Sequence, residues 1–290
     1  MKFIVLLIII FTNNILSKEV IVSELENKTP ERFLYIGNSY LYYNDSLHNH
    51  VRRMLEEYYE KDIDRGNYKS VTISGSRLSH HNIEYYLNHN NIGVDAPYEL
   101  VVIQGGSGET DTDSEREIFF KEVDEMVKNI KSHNAEIALY MIHPFVEPNK
   151  GAYSEMLSDV KSAYIKAANK NNILVFPVGI AFNNAYIKRP NIALHKSDGS
   201  HPDMLGTYLA ACVIFSSITH ISPKTLDYDY SGVIGRGDKD FLQNVAHDNE
   251  VDNELMFAGH NAWRFSKDPF YSNKFIPTVK QLIERIVTGE

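Results

Sequence analysis

Apolar residues follow two alternating rhythms along this chain. Short apolar runs end abruptly in glycine, serine, asparagine or proline, the mark of buried strands feeding turns. They cover 33–36 before Gly37-Asn38-Ser39, 71–73 before Ser74-Gly75-Ser76, and 99–103 before Gln104-Gly105-Gly106-Ser107-Gly108. Two more cover 136–142 before His143-Pro144 and 173–178 before Gly179. Between them the apolar positions take helical spacing: Leu47, Val51, Met54, Leu55 and Tyr58, with Asn44, Asp45 and Ser46 as capping candidates; a short piece over 82–88; Phe119, Val123, Met126, Val127 and Ile130; and Tyr153, Met156, Leu157, Val160 and Tyr164. Strand alternating with helix predicts an α/β fold, a three-layer, doubly wound parallel sheet with helices on both faces. Right-handed crossovers then bring every strand's carboxyl end to one edge.

The pattern continues with a short helix or loop over 179–190. A helix carrying Leu205, Leu209, Val213 and Ile214 follows, with Cys212 buried and Pro202 at its first position. Beyond Pro223 the periodicity fades. Residues 223–290 read as a C-terminal helical and irregular extension that packs on the same domain, with a helix over 276–287. Arg236-Gly237-Asp238 reads as a turn.

At the other end, Lys2 precedes an almost wholly apolar stretch and a small residue, Ser17. This is the order of a secretory signal peptide over 1–17, with an uncleaved anchor as the alternative. Residues 18–31 form a polar lead-in and 32–290 the folded domain. The expected location is secreted or periplasmic, with no stable membrane insertion after signal removal. Asn27-Lys28-Thr29 and Asn44-Asp45-Ser46 are glycosylation sequons.

Composition narrows the function. The 290 residues are 43% hydrophobic and 23% charged, an ordinary globular balance. A net charge of −9 argues against nucleic acid as a partner. The single cysteine excludes a disulfide framework and a cysteine-rich zinc site. His80, His81, His143 and His195 lack the spacing of a helical zinc motif, so no metal and no cofactor is expected. His80-His81 reads as a solvated loop pair, and Asp111 and Asp113 as a solvated acidic turn. Phe182 and Tyr186 read equally as pocket wall or as core.

Ser39 follows a strand end and opens a helical pattern, where α/β sheets place ligands and where backbone N–H groups suit an anionic oxygen. A serine nucleophile needs a base and a group to orient that base. His201 and Asp198, three residues apart on the turn before a helix, are candidates; an aspartate cap beside a surface histidine is the alternative.

Taken together, Gly37-Asn38-Ser39, Gly75, the rim at 104–108 and Asp198-x-x-His201 resemble the SGNH/GDSL hydrolase family, from about residue 32 to about 218. The resemblance implies the flavodoxin-like fold of that family and a triad of Ser39, His201 and Asp198. It also implies an oxyanion hole from the backbone of Ser39 and Gly75. Asn38 stands where the family usually has aspartate. The third block departs further, because the usual Gly-x-Asn-Asp is absent. The run from Gln104 is more similar to the Gln-Gly-Glu of sialate O-acetylesterase and acetyl xylan esterase branches. That similarity assigns the amide donor to Gln104, with Ser107 as runner-up. The expected activity is hydrolysis of small acyl esters, acetyl above all, on a small-molecule or polysaccharide substrate. Alternatives are a non-catalytic carbohydrate-binding homologue, an O-acyltransferase and a lipase-type enzyme.

Overall fold

The computed structural model describes residues 20–256; the expected signal peptide at 1–17 and the expected helix at 276–287 lie outside them. The strands are β1 (Phe33–Gly37), β2 (Tyr68–Thr72), β3 (Leu100–Ile103), β4 (Glu136–Tyr140) and β5 (Leu174–Phe176). All pair in parallel, in the order β2-β1-β3-β4-β5. β1 and β3 are buried along their whole length, which is why they read as continuous apolar runs.

The helices are α1 (Ser39–Tyr42), α2 (Leu47–Tyr59), α3 (Ile83–Leu87), α4 (Asp113–Lys131), α5 (Met156–Asn171), α6 (Val178–Lys188), α7 (Met204–Thr219) and α8 (Arg236–Met256). The step from β1 to β2 runs one way across the sheet and all later steps run the other way. Right-handed crossovers therefore put α2 on one face and α3, α4 and α5 on the opposite face. α7 packs on α2, α6, α8 and β5. The chain reverses direction between β1 and β3, and this switch point is where such sheets open a crevice at the strands' carboxyl ends.

Three expectations change. Pro202 is not the first helical residue: α7 starts at Met204, and the Asp203 carboxylate caps it by accepting the Met204 N–H at 2.9 Å. Arg236-Gly237-Asp238 is no free turn but the first turn of α8. Of the capping candidates, Ser46 takes the position before α2 without making a side-chain cap bond.

Residues 224–248 are tied to the domain. Leu242, Val245 and Ala246 of α8 are buried. Gln243 donates to the Leu226 carbonyl at 3.1 Å, and the Tyr208 hydroxyl to the Tyr228 carbonyl at 2.7 Å. The lead-in runs across the opposite, amino-terminal edge of the sheet. Glu31 and Arg32 donate backbone N–H groups to Glu99, and Glu26 and Asn27 to Glu136. No helix among the described residues is long and apolar enough to cross a membrane.

Candidate active site

At Gly37, the last residue of β1, the backbone passes close to the Gln104 and Leu41 side chains. A Cβ there would stand 2.5 Å from the Gln104 side-chain oxygen and 2.7 Å from Leu41. Asn38 then caps α1, its side-chain oxygen accepting the Tyr40 N–H at 3.1 Å. Its amide nitrogen donates to the Ser76 carbonyl at 3.2 Å. This accounts for asparagine here: one end of the amide caps the helix and the other reaches the loop after β2. Ser39 is thereby the first helical residue, 6% exposed at the mouth of the crevice.

His201 arrives from the far side on the loop between α6 and α7. Its Nε2 lies 2.9 Å from Ser39 Oγ and its Nδ1 lies 2.6 Å from Asp198 Oδ2. A carboxylate can only accept, so Nδ1 carries the proton and Nε2 is left to accept from the serine hydroxyl. Asp198 Oδ1 also accepts the backbone N–H groups of Ser200 and His201, at 2.9 and 3.0 Å. Partial burial raises the Asp198 pKa, but the bonds from His201 and the two backbone groups outweigh it and hold the pKa at about 2. Gly199, between them, has φ +66° and a Cβ there would meet the Val146 carbonyl at 2.0 Å, so the loop needs glycine at this point. The three residues singled out in the sequence thus meet in one hydrogen-bonded row.

The rim residues are placed less uniformly. Gly75 is exposed on the loop after β2. Beside it, Ser76 donates to the Gly37 carbonyl at 3.1 Å. Gln104 directly follows β3, but it is fully buried and both ends of its amide are engaged. Its oxygen accepts the Asn38 N–H at 2.9 Å, and its nitrogen donates to the Gly105 carbonyl. The expectation that Gln104 offers its amide outward is not what this geometry provides; it braces the backbone beneath Ser39. Ser107 is half-buried on the rim and within hydrogen-bonding reach of Tyr40.

The paired histidines divide. His80 is exposed, whereas His81 is buried and its Nε2 lies 3.0 Å from Ser76 Oγ, so His81 is a loop brace rather than a solvated residue. Asp111 and Asp113 are exposed, as expected. Phe182 resolves as core: it is buried and its ring stacks on His143 at 4.4 Å. Tyr186 is half-buried, and its hydroxyl donates to His195 Nδ1 at 2.7 Å. No group of three or more metal-binding side chains occurs among the described residues.

Sequence reasoning passed over the residues packed behind Ser39 and His201. His143, Tyr40 and Ser200 meet directly under His201. The one available signal was position, since His143 closes β4 on the same edge as Ser39. Also missed is Glu109, buried under the glycine loop, where it accepts the Gly106 N–H. Burial and the neighbouring Glu122 raise its pKa to about 7, the Gly106 N–H opposing them.

No family model matches the chain. No curated protein matches it either. Solved structures do match. A DUF4886 family protein from Bacteroides uniformis aligns over 76% of this chain and 94% of its own, at 19% identity and a TM-score of 0.57. A protein from Slackia heliotrinireducens described as an SGNH hydrolase aligns over 65% of this chain and 99% of its own, at 20% identity and a TM-score of 0.51. The acetyl xylan esterase AlAXEase aligns over 64% of this chain and 98% of its own, at 15% identity and a TM-score of 0.51. The parallel sheet flanked by helices therefore has the fold of the SGNH/GDSL hydrolases.

Proposed function

We propose that this protein is an exported serine esterase that removes small acyl groups, acetyl in particular, from a carbohydrate. The observation that carries the proposal is the row Ser39–His201–Asp198, with its 2.9 and 2.6 Å spacings. In the first step Ser39 Oγ bonds to the ester carbonyl carbon while its proton passes to His201 Nε2. The bond to the alcohol oxygen then breaks, and the imidazolium returns the proton to that oxygen. Water attacks the acyl-serine in the same manner, and the acid leaves. Asp198, with its pKa at about 2, stays ionised throughout and offsets the charge on the imidazolium.

The negative oxygen of each tetrahedral intermediate needs fixed donors, each worth about 3–4 kcal/mol. We assign them to the backbone N–H groups of Ser39 and Gly75. Ser107 supplies the side-chain donor, and Gln104 acts from behind by holding Asn38. The small residues Gly105, Gly106, Ser107 and Gly108 beside the crevice favour a short acyl group. Tyr42 and Tyr43, with ring centroids 5.1 Å apart and Tyr43 edge-on to His201, favour a sugar on the alcohol side. Acetyl xylan esterases with this fold are consistent with that choice. The leader at 1–17 supports export.

One experiment tests the reading. Ser39→Ala abolishes hydrolysis of p-nitrophenyl acetate, and a fluorophosphonate labels the wild-type protein at Ser39 alone. Across acetate, butyrate, octanoate and palmitate esters, kcat/KM is highest at acetate. Full turnover by the Ser39→Ala variant refutes the mechanism. A maximum at octanoate or longer refutes the substrate, since each methylene seated in an apolar groove contributes about 0.8 kcal/mol.

A further inference from the structure

Ser200 has no place in the chemistry above, yet every polar group it owns is bound. Its N–H donates to Asp198 Oδ1 at 2.9 Å. Its carbonyl lies 2.9 Å from His143 Nε2, and its hydroxyl lies 3.1 Å from the Tyr40 hydroxyl. The last two partners come from parts of the chain that the triad itself must bring together. Tyr40 follows the nucleophile, and His143 closes β4.

These two partners are also packed against one another. The His143 ring is fully buried and stacked on Tyr40 at 4.3 Å and on Phe182 at 4.4 Å. Because Nε2 faces a carbonyl, it must carry the ring's proton. Burial, then the nearby His195 and His201, push the His143 pKa well below its ordinary value, so the ring remains a neutral single donor. A second brace supports the first. His195, at the start of the same loop, donates from Nε2 to the Pro144 carbonyl at 3.1 Å while accepting from Tyr186. The turn at 143–144 therefore grips the catalytic loop at two points.

We propose that His143 and Tyr40 are positioning residues that clamp Ser200 and so hold His201 against Ser39. The proposal rests on the serine-esterase reading. A loop three residues from Asp198 to His201 has little stiffness of its own, and His201 reaches Ser39 from the opposite side of the crevice. Fixing both sides of the Ser200 peptide turns that approach into a set distance. A displacement of one ångström at such a distance is enough to cost about a hundredfold in rate.

Three variants separate this role from simple packing. His143→Phe keeps a ring in the stack and loses the donor. His143→Gln loses the ring and keeps a donor near the position of Nε2. Tyr40→Phe removes one hydroxyl. The expected result for His143→Phe is a fall in kcat of about 10- to 100-fold with KM unchanged, and an equal fall in the rate of fluorophosphonate labelling, at an unchanged melting temperature. His143→Gln is more active than His143→Phe even where it melts lower. Tyr40→Phe loses about three- to tenfold in kcat. Wild-type kcat in a folded His143→Phe or Tyr40→Phe variant, or a glutamine variant no better than the phenylalanine one, overturns the clamp. If His143→Phe does not fold, Tyr40→Phe decides alone. Wild-type protein that is neither active on p-nitrophenyl acetate nor labelled at Ser39 defeats the esterase reading itself. Active wild type with indifferent variants defeats only the clamp.

Discussion

Gln104 is a buried amide that braces the proposed nucleophile, Ser39, from behind. Its oxygen is the acceptor for the Asn38 N–H, and no water reaches that group to replace it. Gln104→Leu therefore leaves a buried donor unsatisfied. It should lower the unfolding free energy by about 1–3 kcal/mol in a urea titration and reduce kcat together with it. An unchanged urea midpoint would show that the amide is not needed there. The grouping of Ser39, His201 and Asp198 was legible in the sequence because the expected chemistry restricts residue type. Few groups attack a carbonyl, fewer accept the attacking group's proton near neutrality, and Ser39 stands at a strand end. The direction of the Gln104 amide was not legible. Which way an amide points depends on whichever donor the fold brings opposite, and Asn38 stands 66 residues earlier. Ser200 and His143 were hidden for a related reason, since a backbone carbonyl is offered by every residue type.

At the scale of elements, α7 and α8 explain each other. Burial runs from Gly206 to Ile218 of α7 with no solvent face, so its sequence is apolar on all sides. Such a helix needs a cover, and α8 supplies it. Leu242, on α8, is fully buried. Leu242→Ala should cost about 2–5 kcal/mol of stability, read as a lower urea midpoint, while kcat in the folded protein stays near wild type. A midpoint unaffected by the change would mean that α8 is not part of the folded unit. The strands and most helices were legible because burial on two faces or one face leaves its own period. α8 was not, because Gly235 and Gly237 blur its start and its apolar residues are sparse among charges. The start of α7 was misread for a local reason. Pro202 suits a first helical turn, but its backbone is engaged: it pairs with His195 in an isolated bridge, and its carbonyl accepts from Asn44 at 3.0 Å. The cap falls to the next residue.

For the whole molecule, buried titratable groups set how stability responds to pH. Burial lowers the pKa values of His48 and His195 to about 4 and depresses those of His50 and His143 as well. An unfolded histidine titrates near about 6.5. Between about 4 and 6.5 the unfolded chain thus binds more protons than the folded one, and stability falls as the pH drops. Glu109 works in the opposite sense: its pKa is raised from 4.5 to about 7, so its contribution is lost as the pH rises through that range. His81 is depressed and Asp111 raised in the same two senses, so among the described residues five histidines outnumber two carboxyls. The urea midpoint should therefore decline from pH 6.5 to pH 4, and decline more steeply in Glu109→Gln, which should also be the more stable protein at pH 8. A midpoint that is flat or rises on acidification would contradict this balance. The lead-in carries a different consequence. It crosses the sheet at the amino ends of β3 and β4, held by Glu99 and Glu136, while Ser39 opens at the carboxyl end of β1. Five residues of strand at about 3.3 Å each put roughly 16 Å of solid protein between the two. A solid support coupled through residues 20–31 thus meets the underside of the molecule, and the proposed catalytic serine faces away from the support.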